Sequence, residues 1–143
     1  MSNIHGIGVD QVNLNRVRKI LKKSKSKFEA RCFTNHEIEY ANKFKDPAKR
    51  LGARFAAKEA CSKALGTGFR LGVYWKNIEV VNEKSGKPSL KLTGGAYERL
   101  KKLTPIGSTH NLSLIHISEP TILRRNSYAV LCLKKKKGGG GGG

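Results

Sequence analysis

From Asp46-Pro47 to Gly66 the chain carries one unbroken helical signal, the strongest constraint on what its 143 residues can fold into. Proline suits the first helical position, where its missing N–H would have had no partner, and glycine supplies the stop. Between them Leu51, Phe55 and Ala60 lead to Leu65 along an alanine-rich segment, and Thr67-Gly68 continues the break. Ahead of it, Ile4 to Val9 is a short apolar run with glycines at 6 and 8. That is the pattern of a strand which another backbone or a ligand approaches closely, and Asp10 is expected to end it. From Val12 to about Phe28, Leu14, Val17, Ile20, Leu21 and Phe28 recur at helical spacing, while Arg16, Arg18, Lys19, Lys22 and Lys23 fill the other faces. Thr34 followed by Glu37 fits a capping box, in which hydroxyl and carboxylate each satisfy an orphan amide, and predicts a helix from about Asn35 to Phe44.

Farther along, Ile78 to Val81 and Ser89 to Leu92 read as a hairpin turned at Ser85-Gly86. Gly95 to Leu103 is a short helix, and Leu112 to Leu114 with Tyr128 to Leu133 read as closing strands. Helices mixed with mostly antiparallel strands predict an α+β fold: a single domain over residues 1–133. Within it, residues 115–127 stand out as an atypical insert, because they separate two strands that would otherwise form a tight hairpin, and Pro120 forbids a central strand there. The wording of Ile115 to Arg125 resembles translated sequencing adapter, and AAA and GGG codon runs would spell Lys134 to Gly143. Parts of the C-terminal region are therefore expected to be foreign to the gene, a reading that an uninterrupted frame in resequenced source DNA would refute. Residues 134–143, four lysines and six glycines with nothing apolar to bury, are expected to be a disordered tail.

Charge narrows the partners. A net charge of +19 gathers acidic molecules: nucleic acid, an anionic membrane, a phosphorylated small molecule or an acidic protein. No apolar run approaches the ~18 residues of a membrane span, and the N-terminus lacks a signal peptide's apolar core, so the expected location is cytoplasmic. Cys32, Cys61 and Cys132 have no CxxC spacing and read as small buried groups. Aromatic residues are only 7% and no RNA or DNA motif is present, which argues against a basic nucleic-acid-binding module, the alternative that charge alone would suggest.

Two carboxylates have chemical promise. Asp10 lies beside glycines that leave room for a ligand, and Glu59 sits in the middle of the alanine-rich helix. Brought together they would make a hard oxygen site suited to Mg²⁺, which takes one or two carboxylates and completes its shell with water and phosphate oxygens. The plainer alternatives stay open: Asp10 as the cap of the next helix, and Glu59 paired with Lys63 for about 0.2–0.5 kcal/mol. Arg54, Lys58 and Lys63 project from the same helix and Gly66-Thr67-Gly68 follows with exposed amides; together they could hold a phosphorylated ligand through charge and backbone donors, unless the turn is simply a helix stop. The basic side of the first helix has an equally plain reading as a solvated face.

In order and spacing, Gly6-Ile7-Gly8-Val9-Asp10, Arg16, Arg31-Cys32-Phe33-Thr34 with Glu37, and Arg54-Phe55-Ala56-Ala57-Lys58-Glu59-Ala60 with Lys63 to Gly68 resemble the bacterial holo-[acyl-carrier-protein] synthase family, the short 4′-phosphopantetheinyl transferases. The resemblance runs from about Ile4 to Leu114 and takes in Trp75 to Leu92. It implies transfer of the phosphopantetheine arm of coenzyme A to a serine of apo acyl carrier protein, releasing 3′,5′-ADP. By that resemblance Asp10 and Glu59 hold Mg²⁺, Glu59 helps remove the serine proton, and Lys63 contacts the phosphates. Arg54 with Gly66, Thr67 and Gly68 lines the coenzyme A site, and His116 falls where the family carries a nucleotide-contacting histidine. Arg16, Lys19 and Lys23 would meet the acidic carrier protein. The family implies a homotrimer with sites at subunit interfaces; an inactive protein of the same fold is the remaining alternative.

Overall fold

A computed structural model describes residues 6–104, 112–118 and 125–132, with backbone alone for residues 6, 7, 9–11, 112–118 and 125–132. The elements follow as β1 (Gly6–Asn13), α1 (Leu14–Cys32), α2 (Asn35–Asn42), α3 (Pro47–Ala64), a 3-10 turn (Trp75–Asn77), β2 (Ile78–Asn82), β3 (Pro88–Leu92), α4 (Gly94–Leu103), β4 (Leu112–Ser118) and β5 (Arg125–Cys132). One antiparallel sheet has the order β1-β5-β4, and β2-β3 form a separate hairpin. The expected α+β class therefore holds.

α3 is the centre of the molecule. It packs most extensively on β1 and then on β5. Ala56, Ala57, Ala60 and Ala64 are all buried, and a Cβ added at Gly8 would overlap the Ala60 carbonyl oxygen and lie 2.7 Å from the Ala64 amide nitrogen. Only small residues on both elements allow two backbones to approach so closely. This is the close approach that the glycines of the first apolar run predict.

Three expectations about the first strand and helix are corrected. Asp10 does not end the strand: β1 continues to Asn13 because β5 supplies ladder partners that far, Asp10 opposite Tyr128 and Asn13 opposite Arg125. Nor does Asp10 cap the helix, since the Asn13 side chain accepts from the amides of Asn15 at 3.0 Å and Arg16 at 3.4 Å. α1 also outlasts its predicted end near Phe28, reaching Cys32 after a break at Ser24, whose φ of −146° and ψ of 44° are not helical. The second half persists because Phe28 and Cys32 pack against Phe33 and Leu51.

The final strands are longer than expected. Ile115–Ser118 extend β4 and Arg125–Ser127 extend β5, and both stretches stay in antiparallel register from Ile115↔Ala129 to Ser118↔Asn126. Residues 119–124, with Pro120, and the 133–143 tail lie outside the described residues.

The capping box forms as predicted, the Thr34 hydroxyl accepting from the Glu37 amide at 3.3 Å and Glu37 Oε1 from the Thr34 amide at 3.0 Å. Glu37 does more than cap. Its Oε2 accepts from the Val80 amide at 3.0 Å, and its Oε1 lies 2.5 Å from Lys58 Nζ, with both side chains wholly buried. Lys58 also donates to the Trp75 carbonyl at 3.2 Å. The pair thus ties α2, α3, β2 and the 3-10 turn at one point. It also corrects the expectation that Lys58 offers its charge to a phosphorylated ligand.

Burial holds the Lys58 pKa below the usual lysine range, and Glu37 opposes that shift. Removing one partner of a buried pair typically costs about 3–5 kcal/mol, so Glu37→Gln should lower unfolding stability by that order in urea titrations. With Glu37 gone, Lys58 would fall further. Between the folded and unfolded pKa values the unfolded chain binds more protons, so the variant's deficit relative to the parent should shrink as pH rises toward the ordinary lysine range. A deficit that grows with pH would contradict this account.

Candidate active site

Two turns of α3 separate its chemistry into faces. Arg54 and Lys58, four residues apart, turn toward α2 and β2. The Arg54 guanidinium stacks over the Tyr40 ring at 4.1 Å and donates to Asn82 Oδ1 at 3.0 Å, leaving the residue 6% exposed. Phe55 and Glu59, on the next face, turn toward α1. There they form one wall of a cleft of about 580 Å³, whose other wall comes from β1 and α1 through Val12, Arg16, Val17 and Ile20, with Phe28 across the Ser24 break.

The cleft therefore brings together Glu59 and Arg16, residues singled out for different reasons. The chemistry of the pair is complementary: a carboxylate able to take a proton or face a cation, and a guanidinium able to dock an anion. Lys63, one turn beyond Glu59, is exposed, as are Lys19 and Lys23 on the outer side of α1. Arg54 does not line this cleft. Asp10 occupies a β1 position between Gly8 and Val12, the strand on which α3 packs most closely; its carboxylate and the His116 imidazole lie outside the described residues. On the backbone, Asp10 and His116 share one register level, since both pair with Tyr128 of β5.

A divalent cation fits the donor chemistry. Among the described residues there is no group of three or more His, Cys, Asp or Glu side chains. One carboxylate on an open cleft is instead what suits an ion that keeps waters and takes phosphate oxygens from its ligand.

The Gly66-Thr67-Gly68 turn is more occupied than its sequence suggests. Its first and last amides are used to close α3, donating to the carbonyls of Lys63 at 3.0 Å and Ser62 at 3.1 Å. The φ values of +78° at Gly66 and +59° at Gly68 explain the glycines. The Thr67 hydroxyl donates to the Gly68 carbonyl at 2.7 Å. What the turn offers a ligand is open space, since a Cβ at Gly68 would meet nothing within 4 Å.

A feature that periodicity alone does not reveal is the aromatic wall. Phe28 lies 5.6 Å from Phe55, Phe55 stacks on Trp75 at 4.6 Å, and Trp75 stacks on Phe69 at 3.7 Å, ring centroid to centroid. The wall joins the cleft to the loop that follows α3. The helical spacing of Phe55 hinted at a core role; nothing in the spacing of Phe69 or Trp75 placed them together.

Comparison with known proteins gives a consistent picture. Residues 6–118 match the 4′-phosphopantetheinyl transferase superfamily. A holo-[acyl-carrier-protein] synthase of Sinorhizobium fredii is 48% identical over 104 residues, 73% of this chain and 75% of that protein. One of Parvibaculum lavamentivorans is 47% identical over 115 residues, 80% and 84%. Among solved structures, the holo-[acyl-carrier-protein] synthase of Neisseria meningitidis superposes with a TM-score of 0.74 at 30% identity, covering 94% of this chain and 100% of that one. That of Bacillus anthracis, in complex with coenzyme A (3′,5′-ADP), gives 0.69 at 31% identity, covering 95% and 100%.

The aromatic wall makes a prediction of its own. Phe55→Leu removes two ring contacts, each worth about 0.5–1.5 kcal/mol, and should both destabilise the chain by about 1–3 kcal/mol and shift the emission of Trp75, its single tryptophan. Unchanged emission in the folded variant would show that the wall is not continuous.

Proposed function

This chain belongs to the 4′-phosphopantetheinyl transferase superfamily, and from that membership we propose that it transfers 4′-phosphopantetheine from coenzyme A to a serine of apo acyl carrier protein. The observation that carries the reading is the cleft, with Glu59 on one wall and Arg16 on the other, both inside the matched residues 6–118.

The serine oxygen attacks the pyrophosphate phosphorus that bears the pantetheine arm. A new phosphorus–oxygen bond forms, the bridging phosphorus–oxygen bond breaks, and 3′,5′-ADP leaves with the electron pair. Glu59, directly or through one water, takes the serine proton as the nucleophile commits. Asp10 and Glu59 are the residues that would hold Mg²⁺, which when bound supplies charge neutralisation at the pyrophosphate. Lys63, exposed beside Glu59 in sequence and helix turn, contacts the phosphates, a point charge aimed where negative charge develops.

Coenzyme A is held by residues from several elements. Gly66, Thr67 and Gly68 admit it closely because two of the three lack side chains. Arg54 and His116 take its phosphate and nucleotide groups. Arg54 lies on the α2 face of its own α3, away from its own Glu59 cleft, which fits a homotrimer whose sites combine residues of neighbouring subunits. The acidic carrier protein lies along α1, where Arg16, Lys19 and Lys23 are all exposed. Opposite potentials there speed encounter and set orientation more than they add affinity. Among the described residues no helix is long and apolar enough to cross a membrane, and we place the reaction in the cytoplasm.

The decisive experiment is intact mass spectrometry of apo acyl carrier protein incubated with the chain and coenzyme A. The carrier should gain one phosphopantetheine group with Mg²⁺ and none with a chelator; no gain from a folded chain sinks the proposal. Glu59→Gln keeps the shape and removes the charge, so kcat should fall by about 10²–10⁴ without loss of fold. Arg16→Glu should raise KM for the carrier protein by about tenfold, or 1.4 kcal/mol, and leave KM for coenzyme A unchanged. Equal effects on both substrates would assign Arg16 a structural role instead.

A further inference from the structure

α1 has a second hollow on its other side. A cavity of about 250 Å³ lies between α1 and the start of α3, floored by Leu21 and Leu51 with Pro47 and Ala48 beside them. Arg18 with its partner Asp46, and Lys22, Lys25 and Glu29, complete its wall. Glu29 Oε1 is shut off from solvent and accepts no hydrogen bond from any described residue. A buried acceptor without a donor is rare enough in folded proteins to need an explanation, and a ligand bearing the donor is one.

Electrostatics select the class of ligand. Arg18 is already engaged by Asp46 at 2.6 Å, while Lys22 and Lys25 are exposed at the rim and repel a cation. The Glu29 oxygen repels an anion in the interior. A neutral molecule with one O–H or N–H donor on a short apolar chain satisfies every wall, and the volume suits about seven heavy atoms.

The position of the hollow gives it leverage. Arg18, Leu21 and Lys22 precede the Ser24 break, and Lys25 and Glu29 follow it, so an occupant touches both halves of α1. The larger cleft straddles the same break, with Arg16 and Ile20 before it and Phe28 after it. We propose that the small hollow is an effector site for a short-chain alcohol or amide, whose donor Glu29 accepts and whose occupancy sets the angle between the halves of α1 and so the width of the Glu59 cleft. The site stands independently of the transfer reaction, because neither its residues nor its test involves either substrate.

Phe28 leads through Phe55 to Trp75, the single tryptophan, which makes the coupling visible without an activity assay. Titration of the full chain with 1-hexanol, followed by Leu21 and Leu51 methyl resonances and by Trp75 emission, should saturate on the order of 1 mM in both signals. Butyl ethyl ether has the same size and no donor, and should need at least about tenfold more. Glu29→Met should erase the alcohol's advantage. An equal response to alcohol and ether, an unsaturable response, or an alcohol preference that survives Glu29→Met overturns the site. Methyl shifts with a silent Trp75 overturn the coupling. Should Glu29→Met not fold, the comparison of alcohol with ether on the unaltered chain decides alone.

Discussion

A lysine and a glutamate buried together in the interior are expensive to desolvate, and such a pair persists only where further hydrogen bonds complete it. Lys58 and Glu37 meet that condition. Between them they engage the Thr34 and Val80 amides and the Trp75 carbonyl, one partner each from the start of α2, from β2 and from the 3-10 turn. Nonspecific apolar contact tolerates sliding; a charged pair with directional partners does not. The azimuth of α3 about its own axis is therefore set on the side away from the cleft. The orientation of Phe55 and Glu59 on the adjoining face follows from it.

Much of this was legible in the residues. The capping box at Thr34 and Glu37, the proline start and glycine stop of α3, and the β2-β3 hairpin are local devices whose geometry is written within a few positions. The end of the first strand is not local information: Asp10 resembles a terminator, whereas the ladder that carries β1 to Asn13 comes from β5, more than a hundred residues away. The same blindness to distance hid Lys58. In sequence it stands between Ala57 and Glu59 as one more cation, and only the fold supplies the anion that buries it.

The candidate site was legible in a different way. Glu59, Arg16 and Lys63 were singled out by residue type, by helix placement and above all by resemblance, and the fold puts the first two across one cleft. In sequence the Gly66 and Gly68 amides look like available donors, because nothing there records that the helix terminus consumes them first. The aromatic wall was not legible, since Phe28, Phe55, Phe69 and Trp75 belong to different elements and meet only when α1 and the loop after α3 close on one another.

The contact of Gly8 with the alanine face of α3 has a thermodynamic corollary. Alanine and glycine surrender no rotamer freedom on burial, so the most intimate packing in the molecule is assembled at little side-chain entropy cost. The long side chains that do lose that freedom, Lys58, Arg54 and Glu37, are confined to the far face, where charged hydrogen bonds and ring contacts offset the loss. Stiffness beneath the cleft thus comes from the residues with the least freedom to give up, leaving the exposed basic side chains of α1 their full conformational range for an encounter.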